Sequence, residues 1–558
     1  MANHFSVDTG GRVEDYVQRL GQTPLFKTKV ELHSDEFQAN YKEMQNLVTE
    51  LNGRLEEALW PGSDKACAKH IKEGMLLARE RVELLLDDDS PFIELCPLAG
   101  WGMKGITAGA GTIAGIGLVC GVECMLSASN PTIKGGASNA MSVKKGIRIA
   151  EIALENRLPM IQLVQSAGGD LRDQFNVFHA GGAIFRDLAY RSRQGIPSIA
   201  VVFGSSTAGG AYQPGMSDYT VLVKDQAKVY LGGPPLVKMA TGEEVSHEDL
   251  GGAEMHAKVS GVSDYLAVDE KHALLLTRQI VGSLNHEKIT PLPAAYLAGM
   301  VEPPLYPADE LLGIASADVR VPYDAREVIA RLTDGSRFNE FKPLYGPGLV
   351  TAFAFICGFP VGVLANNGVL FNAEANKGTQ FIHLCNQRKT PIVFLANITG
   401  FMVGQKYERE GMIKQGALMI NAVTNSAVPA ITIQMGASYG AGNYAMSGRA
   451  YHPRFIFAWP QSKCSVMGPD QLTGVMEMVQ RQSAANAGKK VDESVWEKSR
   501  AKLHAQVENE GNVYYTSSRL IDDAIIDPRD TRDVLGVCLS AIHSGEVRSR
   551  EHIGVCRM

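Results

Sequence analysis

Two stretches decide the fold: GIPSIAVVFGSSTAGGAY at 195–212 and AVPAITIQMGASYGAGNY at 427–444. Each runs from a proline through an apolar, β-branched strand into a glycine-rich turn. Their prolines, Pro197 and Pro429, are 232 residues apart. A continuous apolar run closed by glycine reads as a strand buried on both faces, the habit of parallel sheets. Working outward, LPMIQLVQSAG (158–168) answers TPIVFLANITG (390–400), again 232 residues on. Upstream, ARER (78–81) and SPFIE (90–94) answer ARE (325–327) and SRFNE (336–340) at offsets of 247 and 246. A chance likeness of αβ segments is the alternative, but blocks kept in the same order favour an internal duplication.

The intervening sequence fits this plan. Residues 35–86 read as helical, with Leu47, Leu51, Leu55 and Leu59 recurring every fourth position. GTIAGIGLVCGVECMLSASN (111–130) reads as two short strands around a turn. Helices over 140–156 and after the 168 turn alternate with strands, which gives an α/β fold of two tandem domains. TPLPAAYLAGMVEPPLYPADE (290–310) is proline-rich and non-periodic, as a linker would be. The expected division is therefore 1–295, including the helical N-terminal segment, and 296–558.

Composition narrows the function. The 558 residues are 45% hydrophobic and 20% charged, with 54 basic against 60 acidic residues and a net charge of −6. That balance gives no basis for nucleic acid or an anionic membrane as partner. The long uncharged stretch Gln415 to Gly448 is broken by Asn421, Asn425, Pro429 and Gln434, so it reads as buried core and not as a span. The opening MANHFSVDTGGRVEDYV has neither an apolar signal core nor an arginine-rich leader, so a cytoplasmic protein is the default expectation. Nine scattered cysteines without any C-x-x-C read as reduced and structural. His247 and His256 sit on loop-like sequence, H-E-x-x-H is absent, and no metal site is expected. The acidic run Asp87-Asp88-Asp89 reads as solvated.

The repeated turns carry the candidate chemistry. A glycine turn between a buried strand and a helix exposes main-chain N–H groups at the positive end of the helix dipole. Two such turns side by side make an oxyanion hole. Each half offers two: SAGG (166–169) with TAGGA (207–211), and ITG (398–400) with YGAG (439–442). Tight turns that need positive φ for steric reasons alone remain the plain alternative. GSSTAG (204–209) matches the hydrolase G-x-S-x-G only loosely, and no lysine of the P-loop kind follows any glycine turn. Two oxyanion holes without an evident nucleophile or base suggest chemistry in which the substrates supply the base.

On these residues a resemblance becomes visible. GVECMLSASNPTIKGG (121–136), STAGGAYQPGMSD (206–218), GPPLVKMATGEEVSHEDLGGAEMH (233–256) and SGVSD (260–264) resemble the carboxyltransferase (β) subunits of biotin-dependent acyl-CoA carboxylases. So do NNGVLF (366–371), KGTQFIHLCNQR (377–388), NITGFMVGQKYE (397–408), GAGNYAMSGRAYHPRF (440–455), the tail DDAIIDPRDTRDVLG (522–536) and the ending GVCRM. NNGVLF and NITGFMVG are of the methylcrotonyl-CoA carboxylase type. The turn Ser166-Ala167-Gly168-Gly169-Asp170 departs from the family's usual Ser-Gly-Gly-Ala-Asn.

The resemblance implies two crotonase-like domains that transfer carboxyl from carboxybiotin to acyl-CoA. The expected acyl group is branched or unsaturated, such as 3-methylcrotonyl; geranyl-CoA, propionyl-CoA or a longer acyl-CoA are alternatives within that chemistry. Biotin would ride on a separate α subunit, since no Ala-Met-Lys-Met site occurs, and the β chains would form a hexamer within an α6β6 complex. The compartment implied is the cytoplasm, or the mitochondrial matrix for a mature eukaryotic chain. Main-chain donors at Ala167, Gly168, Gly169, Gly209, Gly210 and Ala211 would hold the thioester oxygen, and those at Gly400, Gly440, Ala441 and Gly442 the biotin oxygen. Phe203, Tyr212, Asn397, Phe401 and Tyr444 are candidates for the acyl pocket. Lys134, Lys144 and Lys145 are candidates for CoA phosphates, with a solvated helix face as the alternative. A stand-alone crotonase-type hydratase or hydrolase is the competing enzyme reading; its acid would have to be Asp170 or Asp218. A non-catalytic scaffold would have no reason to keep both glycine sets.

Overall fold

The computed structural model describes residues 12–488 and 493–548. The ending GVCRM with Cys556, and the first eleven residues, lie outside the described residues. Two compact units emerge, one of residues 53–289 with 518–520, the other of the remaining described residues.

The first unit holds a sheet of β1 (Ile93–Glu94), β2 (Thr112–Val119), β3 (Val122–Ser129), β4 (Met160–Ser166), β5 (Ser198–Thr207), β6 (Tyr219–Val223), β7 (Lys228–Tyr230) and β8 (Tyr265–Ala267). The order is β1-β2-β3-β4-β5-β6-β8, with β7 also pairing β5. The second unit holds β9 (Phe338–Glu340), β10 (Leu349–Ile356), β11 (Phe359–Asn366), β12 (Ile392–Ile398), β13 (Ala430–Tyr439), β14 (Phe455–Ala458), β15 (Lys463–Ser465) and β16 (Ala524–Ile525). Its order β9-β10-β11-β12-β13-β14-β16, with β15 on β13, is the same. In both sheets the first two pairings are antiparallel and the rest parallel. The tandem α/β architecture expected from the repeat is what the chain adopts.

The duplication extends to single side chains. Arg79 forks onto Glu94 at 2.9 and 3.2 Å, and Arg326 onto Glu340 at 2.7 and 2.8 Å. These are the repeated ARE and terminal Glu of the sequence blocks. The β2–β3 turn, Cys120-Gly121, has both φ positive and donates both N–H groups to Asp87 at 2.7 Å. The β10–β11 turn, Cys357-Gly358, does the same to Asp334 at 2.8 Å. Arg278 closes the first of these and Arg532 the second, at 2.8 and 2.7 Å. Two adjacent left-handed residues suit a two-residue hairpin, and a carboxylate that accepts both turn amides fixes it. Asp87 is therefore a structural cap, where the acidic run had read as solvated.

The expected division differs at the N-terminus. The helix Val13–Gly21 and the Asp35–Ala58 helix up to Asn52 belong with the second sheet's unit. Tyr16 and Leu20 bury against Ala295 and Phe355, and Tyr16 donates to Asp334 at 2.9 Å. Phe37 packs so closely on Gly313 that a Cβ there would meet its ring at 2.3 Å. The linker is part of this packing, through Ala295. The leucine periodicity of residues 47–59 identifies a helix but not the surface that covers it.

Candidate functional site

The register of β4 on β5 shifts between Val164 and Ser166, where β5 bulges by carrying Phe203, Gly204 and Ser205 against one residue of β4, and β13 bulges likewise with Met435, Gly436 and Ala437 against one residue of β12. The residues facing the bulges are Gln165 and Asn397. Each lies over a glycine of the neighbouring strand, for a Cβ on Gly204 would meet Gln165 Nε2 at 2.6 Å and one on Gly436 would meet Asn397 Oδ1 at 2.5 Å. Gln165 Oε1 accepts from Arg81, a wholly buried guanidinium that forks onto Glu270 at 2.8 Å and lies over the Phe203 ring. Asn397 Oδ1 accepts the Ala437 N–H at 3.1 Å. A bulge re-aims the chain beyond it, and here it delivers the glycine turn.

Beyond the bulges, Gly168 and Gly400 take φ of +96° and +128°, which side-chain-bearing residues avoid. The paired turns follow β5 and β13, where Ala208 and Gly440 share a left-handed φ of +54° and +55°. In each half the two turns touch. A Cβ on Gly168 would stand 3.4 Å from Thr207 O, and one on Gly442 would stand 3.2 Å from Gly400 Cα. Repeat equivalence matches Ala208, Gly209 and Gly210 to Gly440, Ala441 and Gly442. Ala211 is one position further on, mostly buried in a small core with Val164 and Val202.

Not every expected donor is free. The Ala167 N–H is bound to Gly135 O at 3.0 Å and the Gly168 N–H to Ser166 Oγ at 3.1 Å. Both are engaged within the first half, so neither can serve a substrate oxygen in this conformation. Among the described residues no acceptor outside their own turn or helix engages the N–H of Gly169, Gly209 or Gly210, nor that of Gly400, Ala441 or Gly442. Ile398 stands where the first half has Ser166, which removes the competing hydroxyl.

Three further expectations are corrected. Phe203 is wholly buried in the sheet core beneath Arg81, and cannot wall a pocket. Lys145 is wholly buried, its Nζ donating to Thr112 O at 2.6 Å, so it supports the backbone and reaches no phosphate. Asn397 is held against the β13 bulge by the Ala437 N–H. Of the others, Lys144 is exposed on the Ala140–Glu155 helix. Lys134 lies beside the first turn, donating to Gly105 O at 2.9 Å and standing 3.7 Å from the Asp170 carboxylate. Tyr212 is half exposed, edge-on to Phe185 at 5.8 Å. Tyr444 is equally open and packs on Tyr451 at 5.5 Å. Phe401 bridges to Leu370 and covers Gly416.

The acids that a hydratase would need are occupied. Asp170 caps the turn at Arg172, whose guanidinium holds its carboxyl down at about 2. Asp218 accepts from Ser192 Oγ, Ser198 N–H and Ser198 Oγ at 2.5, 2.8 and 2.8 Å. His256 is buried between Val229 O and Ser260 Oγ, and His247 meets the Tyr230 hydroxyl. Among the described residues no group of His, Cys, Asp or Glu is placed to hold a metal ion, and no helix is long and apolar enough to cross a membrane.

Two crotonase-like sheets, each with a pair of touching donor turns, define an acyl-transfer architecture. The carboxyl transferase domain model matches residues 69–553, and the chain belongs to that family. It is similar to a probable biotin-dependent acyl-coenzyme A carboxylase beta2 subunit of Mycobacterium tuberculosis, 54% identical over 92% of this chain and 96% of that one. A probable mitochondrial methylcrotonoyl-CoA carboxylase beta chain of Drosophila melanogaster is 48% identical over 94% and 93%. The crystal structure of the P. aeruginosa geranyl-CoA carboxylase beta subunit superimposes with a TM-score of 0.86 at 41% identity, over 96% of this chain and all of that one. The chain is a carboxyltransferase of the acyl-CoA carboxylase kind.

Proposed function

We propose that this carboxyltransferase moves a carboxyl group from carboxybiotin, carried on a partner subunit, to a branched α,β-unsaturated acyl-CoA such as 3-methylcrotonyl-CoA. The observation that carries the reading is the repeat-equivalent pair of touching turns, whose N–H groups at Gly169, Gly209, Gly210, Gly400, Ala441 and Gly442 meet no acceptor outside their own turn or helix among the described residues. In the first half, Gly209 and Gly210 hold the thioester oxygen as it gains charge on loss of a carbon-bound proton. In the second, Gly400, Ala441 and Gly442 fit a ureido oxygen, because their N–H groups meet no acceptor outside their own turn or helix and Gly442 stands directly against Gly400. Bound carboxybiotin supplies the carboxyl group and a nitrogen basic enough to take that proton. Each preorganised main-chain donor of this kind contributes roughly 3–4 kcal/mol to the transition state, so the chain needs no side-chain base. In an unsaturated substrate the charge spreads through the double bond and the γ carbon is carboxylated.

The methylcrotonoyl-CoA and geranyl-CoA relatives support a branched, unsaturated acyl group. So does the run of exposed Leu171, Phe175 and Phe178 directly after the first turn. The family resemblance pairs the acyl-CoA half of one chain with the biotin half of a neighbour, which calls for a β hexamer, within an α6β6 complex. The compartment would be the cytoplasm, or the mitochondrial matrix in a eukaryote, as for the Drosophila relative. The domains would divide functionally near residue 295. A substrate panel tests the reading: with the biotin-bearing partner present, kcat/KM should be higher for 3-methylcrotonyl-CoA or geranyl-CoA than for propionyl-CoA or acetyl-CoA. Preference for acetyl-CoA would refute the acyl assignment. A particle of monomer size in light scattering would refute the shared site.

A further inference from the structure

Asn443 belongs to the short helix Gly440–Ala445, which opens with the second unit's donor turn, and it is tied on three sides. Its main-chain O accepts the Gly448 N–H at 2.9 Å. Its side-chain Nδ2 donates to Ser438 Oγ at 2.7 Å and points at Cys464 Sγ at 3.7 Å. Those two acceptors stand opposite each other in the register of β13 and β15. Burial pushes the Cys464 thiol up to about 11, so the sulfur stays a neutral acceptor near neutral pH. The Asn443 Oδ1 lies against Gly448, where a Cβ would meet it at 2.0 Å, although the Gly448 φ of −68° would suit any residue. The glycine at 448 makes room for the carboxamide.

The first unit builds the same turn without this side chain. Ala211 stands in the equivalent place, 232 residues earlier, and Val229 stands opposite Ser206 as Cys464 stands opposite Ser438. Ala211 and Val229 pack in a small apolar core with Val164 and Val202. Ser206 donates its Oγ to Gly210 O at 3.0 Å instead of meeting an amide. Ala208 and Gly440 nevertheless share one left-handed φ. The turn therefore forms without a carboxamide at this place, and the polar group of the second unit serves something other than folding the turn.

From this difference we infer that Asn443 is a positioning residue for carboxyl transfer: its carboxamide fastens the Gly440–Ala445 turn to β13 and β15 and so fixes where the Ala441 and Gly442 N–H groups point. The inference rests on the reading that these donors hold the biotin oxygen. Such donors stabilise a developing charge because they are aimed before it appears. Asn443 directly follows Gly442, so any freedom at 443 passes into the donor turn. A polar network whose members are paired makes its surroundings rigid, and this one joins the turn to two strands at once. The first unit's turn has a single serine bond to its carbonyl in the same place.

The test measures steady-state transfer by the full chain, with its biotin-bearing partner and with free biotin. Asn443→Ala gives the second unit the residue that the first carries, and it should fold. Its kcat/KM for free biotin should fall about 10–100-fold, less than the 10²–10³-fold of a donor removed outright, while KM for acyl-CoA stays unchanged. Ser438→Ala removes one acceptor only and should show the same split at about threefold, the size of one weak hydrogen bond. The double variant should lose no more than Asn443→Ala alone, because the two side chains act through one bond. Backbone hydrogen exchange over 440–448 should quicken in Asn443→Ala, while that over 208–216 stays as in wild type. Exchange needs no turnover, so a chain that transfers nothing to biotin would fault the functional reading while exchange still judges the fastening. Equal losses for biotin and acyl-CoA, wild-type transfer in both folded variants, additive losses in the double variant, or unchanged exchange over 440–448 would overturn the inference.

Discussion

Substituting alanine at two equivalent glycines should give unequal results. At Gly442 an added Cβ would meet Ile398 Cγ1 at 2.6 Å and Gly400 Cα at 3.2 Å. Ile398 is wholly buried in β12 and branched at Cβ, so it cannot swing aside, and Gly400 is backbone. The two turns must separate by several tenths of an ångström. Overpacking of this kind costs about 1–3 kcal/mol of stability, and displacing the Gly400 and Ala441 donors should lower kcat about 10²–10³-fold. At Gly210 the same Cβ would stand 3.7 Å from Ser206 Oγ, an ordinary contact, and its φ is not positive. Gly210→Ala should therefore keep kcat within about threefold, because alanine donates the same N–H. The assay is steady-state carboxylation with both substrates varied, alongside chemical unfolding of each variant. Equal losses at the two sites, or full activity of a folded Gly442→Ala, would refute the claim that donor placement is what the second-half glycines secure.

Three further outcomes follow from the side chains. Asp170→Asn should leave kcat within about tenfold, because a lost general base costs about 10²–10⁴-fold; a pH–rate profile of the variant checks this. Asp334→Ala removes a buried carboxylate from two turn amides, Tyr16 and Arg532. It should cost about 3–5 kcal/mol in urea unfolding, more than Asp87→Ala, whose pair with Arg278 is partly exposed. Burial pushes the Asp522 carboxyl up to about 7, with one oxygen bonded to Ser517 and the other unpaired. The folded chain thus binds a proton there that the unfolded chain loses near pH 4, so this group's contribution falls as pH rises from about 4 through 7. Asp522→Asn should stabilise the protein at pH 8 relative to wild type and flatten that slope in thermal unfolding.

The duplication was legible because continuous apolar strands, glycine turns and the ARE and Glu blocks survive in both halves. Arg79 on Glu94 and Arg326 on Glu340 are the physical content of those blocks. The second-half donors Gly400, Ala441 and Gly442 could be read from the same pattern, though the pattern says nothing about which N–H groups are already engaged. Ala167 and Gly168 are bound locally by Gly135 and Ser166, and such short-range capture depends on turn geometry. The bulges of β5 and β13 opposite Gln165 and Asn397 carry no hydrophobic signature either, since they interrupt a strand without changing its composition. Phe203 could have been placed: Ile199, Val201 and Phe203 alternate into one core, so its ring faces away from the turn. Lys145 and its equivalent Lys377 are both wholly buried, a duplication of position that the charge alone conceals. The attachment of the N-terminal helices to the second sheet rests on Tyr16, Phe37 and Gly313, contacts across long sequence separation that no local pattern encodes.

The most direct test runs the reaction backward with label. The purified chain is given an acyl-CoA carrying a labelled carboxyl group at the position it would itself carboxylate, together with free biotin and neither ATP nor partner. Two oxyanion holes and substrate-supplied base require that the label pass to biotin, at a rate that depends on biotin concentration and falls about 10²–10³-fold in Gly442→Ala. A hydrated or hydrolysed acyl-CoA, with no label on biotin at any concentration, would contradict the account.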